Sequence, residues 1–425
     1  MNYLSIGACS PVMESAWREY QSKIEDLRQY IYSRSYAASP EGQGAHYLFL
    51  EIQAVAFNVA MGCRQYTPRF FMHLLFEPTM YPWTSPNADL LYRKAFVDGK
   101  GTYRIHGTRN TSHMLLMQII RAYWNDPVSE MSQLGEIDFD ELEFGPDGSF
   151  EIIASPEPHS GNWIRLDPTY DNNCLLVREA FNDWEAEFPS ELHIERLDGQ
   201  LNRSIITETE FIERIRGAVR FMEWTIGQYS MTYIEDVVER VGWNTFASPQ
   251  MATHKEAGIN PLTQYFFLGF DIKPDEALYI EIHDLDAHYW GIQSSNLWNE
   301  VNDYIDHQSS LNGFQITEDE DGIVRIVVCA TDPGVPNWID TVGLAKGALL
   351  LRLQKALKVP TFRTSIVKLA QLNHVLLELP RRSRFTSVVN GLSGVVTRAS
   401  GAGVTDCFWR QMSTRAVSIS LQSRR

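Results

Sequence analysis

Residues 92–178 and 266–352 contain the same landmarks in the same order, which indicates that one stretch of the chain is duplicated. The shared landmarks are Tyr103 and Tyr279, Gln118 and Gln293, Asp147-Gly148 and Asp321-Gly322, Asn162-Trp163 and Asn337-Trp338, and Arg178 and Arg352. In both copies the arginine ends an aliphatic run and follows the glycine of the Asp-Gly pair by thirty residues. A repeat of this length predicts two similar modules, because each copy must fold as the same unit.

Hydrophobic periodicity assigns the repeated stretches to β-structure. Residues 12–33 carry apolar side chains at three- and four-residue steps, which predicts an amphipathic helix, and residues 45–63 are apolar on nearly all sides, which predicts a buried helix. From residue 92 the period changes to two, and residues 94–106 are interpreted as a hairpin around Asp98-Gly99. The expected fold is α+β, with two antiparallel sandwich-like or barrel-like modules related by duplication, each preceded by a helical segment.

The changes of period also predict the segment boundaries. They are an N-terminal helical segment at 1–82, a first β module at 83–206, a connecting helical segment at 207–245, a second β module at 246–360, and a C-terminal helix with a basic tail at 361–425. Residues 381–425 contain eight arginines and a single acidic residue, whereas the whole chain has a net charge of −16. We interpret the tail as a mobile terminus; the alternative is that it docks on the acidic body of its own or a neighbouring subunit.

Composition excludes several classes of protein. A chain of 425 residues that is 44% hydrophobic can bury large cores, and its negative charge argues against a nucleic-acid partner. The five cysteines are scattered without a C-x-x-C, so neither a disulfide framework nor a zinc site is expected, and a cytoplasmic location is the default. No run reaches the roughly 18 apolar residues of a membrane helix, so no membrane span is predicted.

The strong catalytic spacings are absent. The sequence has no H-E-x-x-H, no G-x-S-x-G, no Walker loop and no dinucleotide-binding glycine motif, so we expect no metal and no nucleotide cofactor. Acid–base catalysis by carboxyl groups stays open, because the acid and the base come from different strands and leave no spacing in the sequence.

A first polar cluster precedes the first β-run of the repeat. Asn87, Asp89 and Tyr92 follow a proline and form a constrained turn whose side chains could meet at the mouth of a pocket and bind a substrate. The alternative is an Asx-type turn that only holds the helix-to-sheet connection.

A second cluster follows the aliphatic run of the first copy. Arg178 can hold a carboxylate bidentately, either from a ligand or from the protein, and Asp183 is a candidate internal partner. The duplicate Arg352 occupies the matching place, so a role shared by both arginines is interpreted as structural. Asp183 and Trp184 belong to one copy only and are therefore the stronger functional candidates.

A third cluster spans residues 288–312 and mixes aromatic rings with amides. Its candidate ligand-binding side chains are Trp290, Gln293, Asn296 and Tyr304, with His288 as a titratable group near neutral pH. Rings and amides with few charges are typical of a site for a neutral, hydroxyl-rich or amphipathic small molecule. The same side chains could instead satisfy buried loop backbone.

A fourth cluster lies in a loop fixed by two prolines and a glycine. Asp332 and Asp340 are candidate acid–base residues, in addition to Asp183 and His288, and the loop would preorganise them. Asn337 and Trp338 are candidate substrate-binding residues between them. Because this Asn-Trp pair recurs in the other copy, it is also interpreted as a packing device.

Several of these segments together resemble a known family. They are residues 87–92, 102–107, 161–167, 289–293, 309–313 and 332–341, and they are similar to bacterial proteins that carry the domain of unknown function 1214. The resemblance covers about residues 40–380 and implies a β-rich sandwich fold with helical additions. It implies no reaction, because the family has no settled activity. Residues 85–89 read Ser-Pro-Asn-Ala-Asp where such proteins more often have Asn-Pro-Asp-Asn, which leaves the role of this turn open.

Three functions follow as hypotheses. The first is an enzyme without metal or nucleotide that acts on a neutral lipid-like or glycoside-like small molecule by acid–base chemistry. The second is a non-catalytic small-molecule binding protein that uses the same cleft between modules. The third is an assembly protein whose acidic body and basic tail form a homo-oligomer.

Overall fold

The computed structural model describes residues 10–34, 44–61, 67–72, 85–122, 132–199, 207–247 and 263–372. The predicted mobility or docking of the basic tail at 381–425 concerns residues outside these ranges. The described α-helices are α1 (Pro11–Tyr32), α2 (Gly44–Met61), α3 (Glu208–Trp224) and α4 (Met231–Val241). A π-helical turn at 225–230 joins α3 to α4.

Helix α1 has the predicted position and apolar stripe. The Ser10 side chain accepts a hydrogen bond from the backbone amide of Met13 at 3.1 Å, and Pro11 occupies the first turn, where no amide donor is needed. Leu27 and Ile31 are buried on the stripe. Local capping and periodicity therefore define this helix without tertiary information.

Helix α2 differs from its prediction, because it is not buried on all sides. Leu48 and Ile52 are buried in the core that α2 shares with α1 and α3, whereas Tyr47, Leu50 and Phe57 are largely exposed. A helix that lies on the surface of a packed layer buries only one of its own faces and leaves the other exposed to solvent. The prediction of a fully buried helix from apolar composition alone was wrong.

The first β module contains two sheets. Its strands are β1 (Phe71–Met72), β2 (Leu90–Val97), β3 (Tyr103–Thr108), β4 (Met114–Ile120), β5 (Gln133–Asp138), β6 (Ser149–Ser155), β7 (Trp163–Arg165), β8 (Asn173–Ala180) and β9 (Glu191–Arg196). One sheet has the order β1-β2-β8-β4-β5, and we call it the first inner sheet. The other has the order β7-β6-β3-β9, and we call it the first outer sheet.

The second β module repeats this arrangement. Its strands are β10 (Thr263–Asp271), β11 (Glu276–His283), β12 (Ala287–Ser295), β13 (Ser310–Asn312), β14 (Val324–Cys329), β15 (Trp338–Asp340), β16 (Lys346–Ala356) and β17 (Thr361–Lys368). The second inner sheet has the order β10-β16-β12-β13, and the second outer sheet has the order β15-β14-β11-β17. Apart from β1, which has no counterpart among the described strands of the second module, this is the order of the first module, so the predicted duplication is confirmed.

Each module is a sandwich with its own hydrophobic core. Ile105 and Ile152 of the first outer sheet meet Leu115 and Val177 of the first inner sheet in one core. The corresponding faces of the second pair of sheets form a separate core. Alternate residues of a strand point to opposite faces, so each inner sheet has a second face that is free to contact other elements. The α+β fold class with two sandwich modules is confirmed.

Two local features of the modules were not predicted. Strands β2 and β3 do not pair with each other, so residues 94–106 are not a hairpin; Asp98-Gly99 instead carries the chain from the inner to the outer sheet. An Asp-Gly signal indicates a reversal of the chain but not which strand the next one joins. In addition, β6 with β7 and β14 with β15 pair in parallel, so the sheets are not purely antiparallel.

The second faces of the inner sheets hold the molecule together. Helices α1 to α3 cover one end of the first inner sheet, around Phe96 and Leu176. Helix α4 covers part of the second inner sheet, around Phe267 and Leu350. Between these helical covers the two inner sheets meet, and Tyr289 packs on residues of β2, β4 and β8. Within the described ranges, no helix combines the length and hydropathy needed to cross a membrane.

Candidate functional site

The place where the inner sheets meet is lined by polar side chains, and we call it the module junction. The first module contributes Asn87, Asp89, Tyr92 and Arg178, and the second contributes Tyr289, Gln293, Asn312 and Arg352. Five of the eight, namely Asn87, Asp89, Tyr92, Arg178 and Gln293, were predicted as substrate-binding residues. Tyr289, Asn312 and Arg352 were not.

The strand register explains why the two arginines face the junction. Arg178 of β8 pairs with Tyr92 of β2, and Arg352 of β16 pairs with Tyr265 of β10. Val177 lies in the core of the first sandwich and Leu351 in the core of the second, so the next residue of each strand points the other way. The repeat therefore places equivalent arginines on the two faces that meet.

Asp89 joins the two modules through hydrogen bonds. Its Oδ2 accepts from the hydroxyl of Tyr289 at 2.8 Å, and its Oδ1 accepts from the amide Nδ2 of Asn312 at 3.0 Å. The carboxyl group is buried, with 5% of the residue exposed. Both of its side-chain donors come from the second module, so this carboxyl group is satisfied only when the modules are in contact.

Burial sets the protonation of this pair. It raises the pKa of Asp89 to about 6, although Tyr289, Asn312 and the positive charge of Arg352 favour the charged form. It also raises the pKa of the Tyr289 hydroxyl well above its ordinary value, and the negative charge of Asp89 adds to the effect. Tyr289 therefore remains a donor, while Asp89 exchanges its proton near neutral pH.

The loop at 85–89 is held against β12 of the second module. Gln293 Nε2 donates to the Ser85 hydroxyl at 2.9 Å and to the Pro86 carbonyl at 2.8 Å. Asn87 Nδ2 contacts the Tyr289 hydroxyl at 2.8 Å, and Asn87 Oδ1 accepts from the Asp89 amide at 2.9 Å. The loop therefore forms the Asx turn that the sequence left as one alternative, and its place at the mouth of a pocket stays a prediction.

The two arginines bond to neutral groups. Arg178 Nη1 donates to Gln118 Oε1 at 2.6 Å, and Arg352 Nη2 donates to the backbone carbonyl of Ser85. Both positive charges act on Tyr92, whose pKa is raised by burial and lowered in part by each guanidinium. Tyr92 therefore lies within the electrostatic reach of both arginines.

The predicted catalytic carboxyl groups are not at the junction. Asp332 is exposed and accepts from the amide of Gly334 at 2.8 Å, within its own loop. Asp340 binds His307 Nδ1 at 2.8 Å and the amide of Val342 at 2.7 Å. Asp183 accepts from the amide of Glu185 at 2.9 Å and forms no ion pair with Arg178 within 4 Å. Asp332 and Asp340 both act on the buried Cys329 thiol, whereas Asp183 belongs to the other module.

His288 lies at the rim of the junction. Its ring stacks on that of His113 with centroids 4.4 Å apart, and the two rings come from different modules. Trp184 is half-buried and stacks on Phe181 with centroids 4.0 Å apart, next to the end of β8. These two predicted residues flank the junction without contacting Asp89.

The remaining predicted residues support loops or cores. Trp290 lies in the core of the second sandwich, and Tyr304 packs on Ala88. Asn296 accepts from the amides of Trp298 and Glu300, which closes its own loop.

The repeated Asn-Trp pair has the packing role that the sequence suggested as an alternative. Asn337 bonds to the amide and carbonyl of Thr317, and Trp338 Nε1 donates to the carbonyl of Cys329 at 2.9 Å. Asn162 of the first copy bonds in the same way to the amide and carbonyl of Glu143. Both copies therefore use the asparagine to brace a loop against its sheet.

The sequence contains a pattern that could have identified Tyr289 as a junction residue. Tyr289, Gly291 and Gln293 alternate with Trp290 and Ile292, so the first three share the face toward the junction and the other two face the core. The prediction selected Trp290 and Gln293, which lie on opposite faces. Arg352 was recognisable as the duplicate of Arg178, but its functional potential depends on the contact between modules.

A second polar concavity lies on the first outer sheet. It encloses about 800 Å³, and its lining includes Arg104, His106, Glu143, Phe144, Glu151 and His193. The rings of His106 and His193 stack with centroids 5.3 Å apart. Within the described ranges, no group of three or more His, Cys, Asp or Glu side chains could hold a metal ion.

Comparison with known proteins supports the fold and adds no activity. The chain is similar to the crystal structure of an uncharacterised protein from Burkholderia cenocepacia, with a TM-score of 0.77 and 29% identity over 84% of this chain and 98% of that chain. A protein from Vibrio parahaemolyticus aligns with a TM-score of 0.43 and 11% identity over 81% of this chain and 100% of that chain, and we base nothing on it. No protein-family model and no curated protein matches the chain. The resemblance to the domain of unknown function 1214 stays a prediction.

Proposed function

We propose that the protein is an enzyme that binds a small molecule at the module junction and exchanges a proton with it through Asp89. The observation that carries this proposal is the buried carboxyl group of Asp89, held by Tyr289 and Asn312 of the other module. A general acid or base works best when its pKa is close to the working pH, and the pKa of Asp89 is about 6. Buried carboxyl groups with such pKa values are enriched at functional sites.

The surroundings of Asp89 suit acid–base chemistry. At pH 7 a group with a pKa of about 6 is roughly nine-tenths ionised, so Asp89 is available as a base. The Tyr289 hydroxyl donates to the charged carboxylate and fixes its orientation. When Asp89 takes up a proton from a substrate, the loss of its charge is favoured by burial.

Two loops separate Asp89 from solvent and define a route of approach. Asn312 Nδ2 also contacts the carbonyl of Asn182, at 3.2 Å, so the loops after β8 and β13 meet beside Asp89. Asn182 is half-buried, and Glu187 accepts from the backbone amides of Asn182 and Asp183. We infer that a small molecule would approach Asp89 between these loops.

A turnover screen tests the proposal. A panel of small esters, glycosides and carbon acids is incubated with the wild type and followed by NMR. We expect Asp89→Asn to reduce any conversion by roughly 10²- to 10⁴-fold, and Asp332→Asn, an exposed carboxyl in a separate loop, to leave it unchanged. Circular dichroism confirms that each variant is folded. Full conversion by a folded Asp89→Asn variant, or no conversion of any compound by the wild type, contradicts the proposal.

The concavity on the first outer sheet favours a second candidate function, which is non-catalytic binding of a small polar molecule. Its volume of about 800 Å³ is in the range of ligand sites. Arg104, which lines the concavity, pairs with Glu151 at 3.7 Å and with Glu195, so its guanidinium group can exchange partners with a ligand. Binding that is lost in His193→Ala and kept in Asp89→Asn would favour this function over the first.

A further inference from the structure

We propose, on the basis of the function proposed for the module junction, that its ligand carries an anionic group, a carboxylate, held between the guanidinium groups of Arg178 and Arg352. This charge class differs from the neutral molecule that the composition of residues 288–312 predicts. It also assigns a functional role to two duplicated arginines that the sequence indicates to be structural.

Three other arginines of the described residues, each largely buried, form the ion pairs that Arg178 and Arg352 lack. Arg325 is 8% exposed and forms ion pairs with Glu281, Asp319 and Asp321. Arg93 pairs with Glu179, and Arg196 pairs with Asp98 and Asp198. Each of these guanidinium groups is therefore matched by at least one carboxylate.

Arg178 and Arg352 have no such match. They are 9% and 4% exposed, and neither forms an ion pair within 4 Å with any carboxylate of the described residues. Their hydrogen-bond acceptors, Gln118 Oε1 and the Ser85 carbonyl, are uncharged. A guanidinium group cannot release its proton in a protein, so burial without a counter-charge is unfavourable. An anion that binds at the junction would remove this cost.

The nearby acidic groups do not form direct ion pairs with these two arginines. The charge of Arg352 acts on Asp89, but the hydrogen bonds of the Asp89 carboxyl group come from Tyr289 and Asn312. Glu187 is engaged by backbone amides, including that of His113 at 2.8 Å. With both acids ionised, Asp89 and Glu187 balance the charges of Arg178 and Arg352 overall, but neither carboxylate lies within 4 Å of either guanidinium group, so a bound carboxylate would supply a direct ion pair.

The duplication explains how a site of this kind arises. Each copy of the module places one arginine at the end of an aliphatic run, and the contact between inner sheets brings both within reach of the Tyr92 hydroxyl. Two guanidinium groups that both act on one hydroxyl are placed to share a bound carboxylate. Because the charge of Arg352 acts on Asp89, a carboxylate bound at Arg352 would lie within electrostatic range of the proposed base.

Binding of propionate, with propionamide as its neutral counterpart, tests this assignment without any turnover. Saturation-transfer NMR reports contact between each compound and the full-length protein, and the midpoint of thermal unfolding reports stabilisation at constant ionic strength. We expect propionate to bind and to raise the midpoint, and propionamide to do neither. Equal responses to the two compounds would overturn the assignment.

Substitutions locate the site. We expect the double variant Arg178→Gln with Arg352→Gln to weaken propionate binding by tenfold or more, and Arg18→Gln, an exposed arginine on α1, to leave it unchanged. The lysine variants Arg178→Lys and Arg352→Lys keep the charge and should retain part of the binding if a glutamine variant fails to fold. Wild-type affinity in the folded double glutamine variant would overturn the assignment.

The same probe separates this inference from the proposed function. The Asp89→Asn variant should bind propionate at least as tightly as the wild type, because it removes a negative charge near Arg352. If propionate binds but the Asp89→Asn variant turns over substrate as fast as the wild type, the proposed function is contradicted and the anion site is retained. If a neutral compound is turned over in a way that depends on Asp89 and propionate does not bind, the anion site is contradicted and the proposed function is retained.

Discussion

His113 and His288 are separated by the offset of the duplication, and their rings stack across the module junction with centroids 4.4 Å apart. The Nε2 of His113 contacts the backbone carbonyl of His288 at 2.7 Å, and the Nε2 of His288 contacts the carbonyl of His113 at 3.4 Å. The two modules therefore meet with an approximate twofold relationship between equivalent residues. Acidification can weaken the contact between two stacked histidine rings, because protonation gives both rings a positive charge.

The first prediction concerns this pair and pH. Burial lowers the pKa of His288, the positive charges of His113 and Lys355 lower it further, and Asp140 opposes them. A lowered pKa means that the unfolded chain takes up the proton first, so stability is lost as the pH falls through about 6.5. We expect His288→Gln to show a smaller fall of the thermal midpoint between pH 7 and pH 5 than the wild type.

A histidine away from the junction provides the control. His159 is exposed in a loop, so His159→Gln should keep the wild-type response to pH. The prediction fails if the thermal midpoints of His288→Gln and His159→Gln fall by the same amount between pH 7 and pH 5.

The second prediction concerns Asp89, whose pKa of about 6 lies above the ordinary value of 3.8. The folded protein holds this proton more tightly than the unfolded chain, so the stabilisation is complete below pH 3.8 and is lost as the pH rises toward 6. Relative to Asp89→Asn, which stays neutral, we expect the wild type to lose roughly 3 kcal/mol of unfolding free energy between pH 4 and pH 7. Urea unfolding at four pH values measures this difference, and a difference that does not vary with pH contradicts it.

The third prediction concerns the hydroxyl of Tyr289. Tyr289→Phe removes the donor to Asp89 and the partner of Asn87 in a buried place. Loss of a hydrogen bond to a buried charged group should lower the unfolding free energy by roughly 2 kcal/mol at pH 7. The effect should shrink at pH 4, where Asp89 is neutral. Tyr47→Phe on the exposed face of α2 is the matched control and should change little.

The fourth prediction compares two buried arginines. Arg325→Met leaves three carboxylates without their partner and should lower the unfolding free energy by roughly 3 kcal/mol. Arg352→Met leaves no carboxylate stranded within 4 Å and should stay within about 1 kcal/mol of the wild type in buffer without small carboxylates. Chemical denaturation of both variants checks the contrast, and equal losses would contradict it.

The fifth prediction concerns the turn that crosses between the sheets of the first module. A Cβ on Gly99 would lie 1.8 Å from the carbonyl oxygen of Asp167 and 2.5 Å from that of Tyr170. Gly99→Ala must therefore shift backbone and should cost roughly 3 kcal/mol of unfolding free energy. Gly135→Ala, where the added Cβ meets nothing within 4 Å, is the control and should cost less than about 1 kcal/mol.

Local sequence signals predicted some elements well and others wrongly for a clear reason. The cap at Ser10 and the apolar stripe of α1 depend on neighbours within one or two turns, so they are visible in the sequence. The turn at Asp98-Gly99 was also visible, but its interpretation as a hairpin was wrong. Which strand pairs with which depends on residues far apart in the chain, for instance β2 with β8.

The candidate site was predicted in part. The turn from Asn87 to Tyr92 and the arginine that ends the first aliphatic run were selected because their residue types are suited to binding. Tyr289 and Asn312 were missed because their value lies in contacting Asp89, which is 200 and 223 residues away. No spacing rule connects positions at that separation.

The sequence by itself determined that this protein consists of two copies of one β module. A duplication leaves the same residues in the same order, and their period of two with turn residues between them identifies β-structure. The tertiary structure decided how the copies face each other. That contact buries Asp89 beside Tyr289, and among the described residues it places no carboxylate within 4 Å of Arg178 or Arg352. Burial and charge balance arise only when distant surfaces meet, so the chemistry of the junction is a property of the assembled modules.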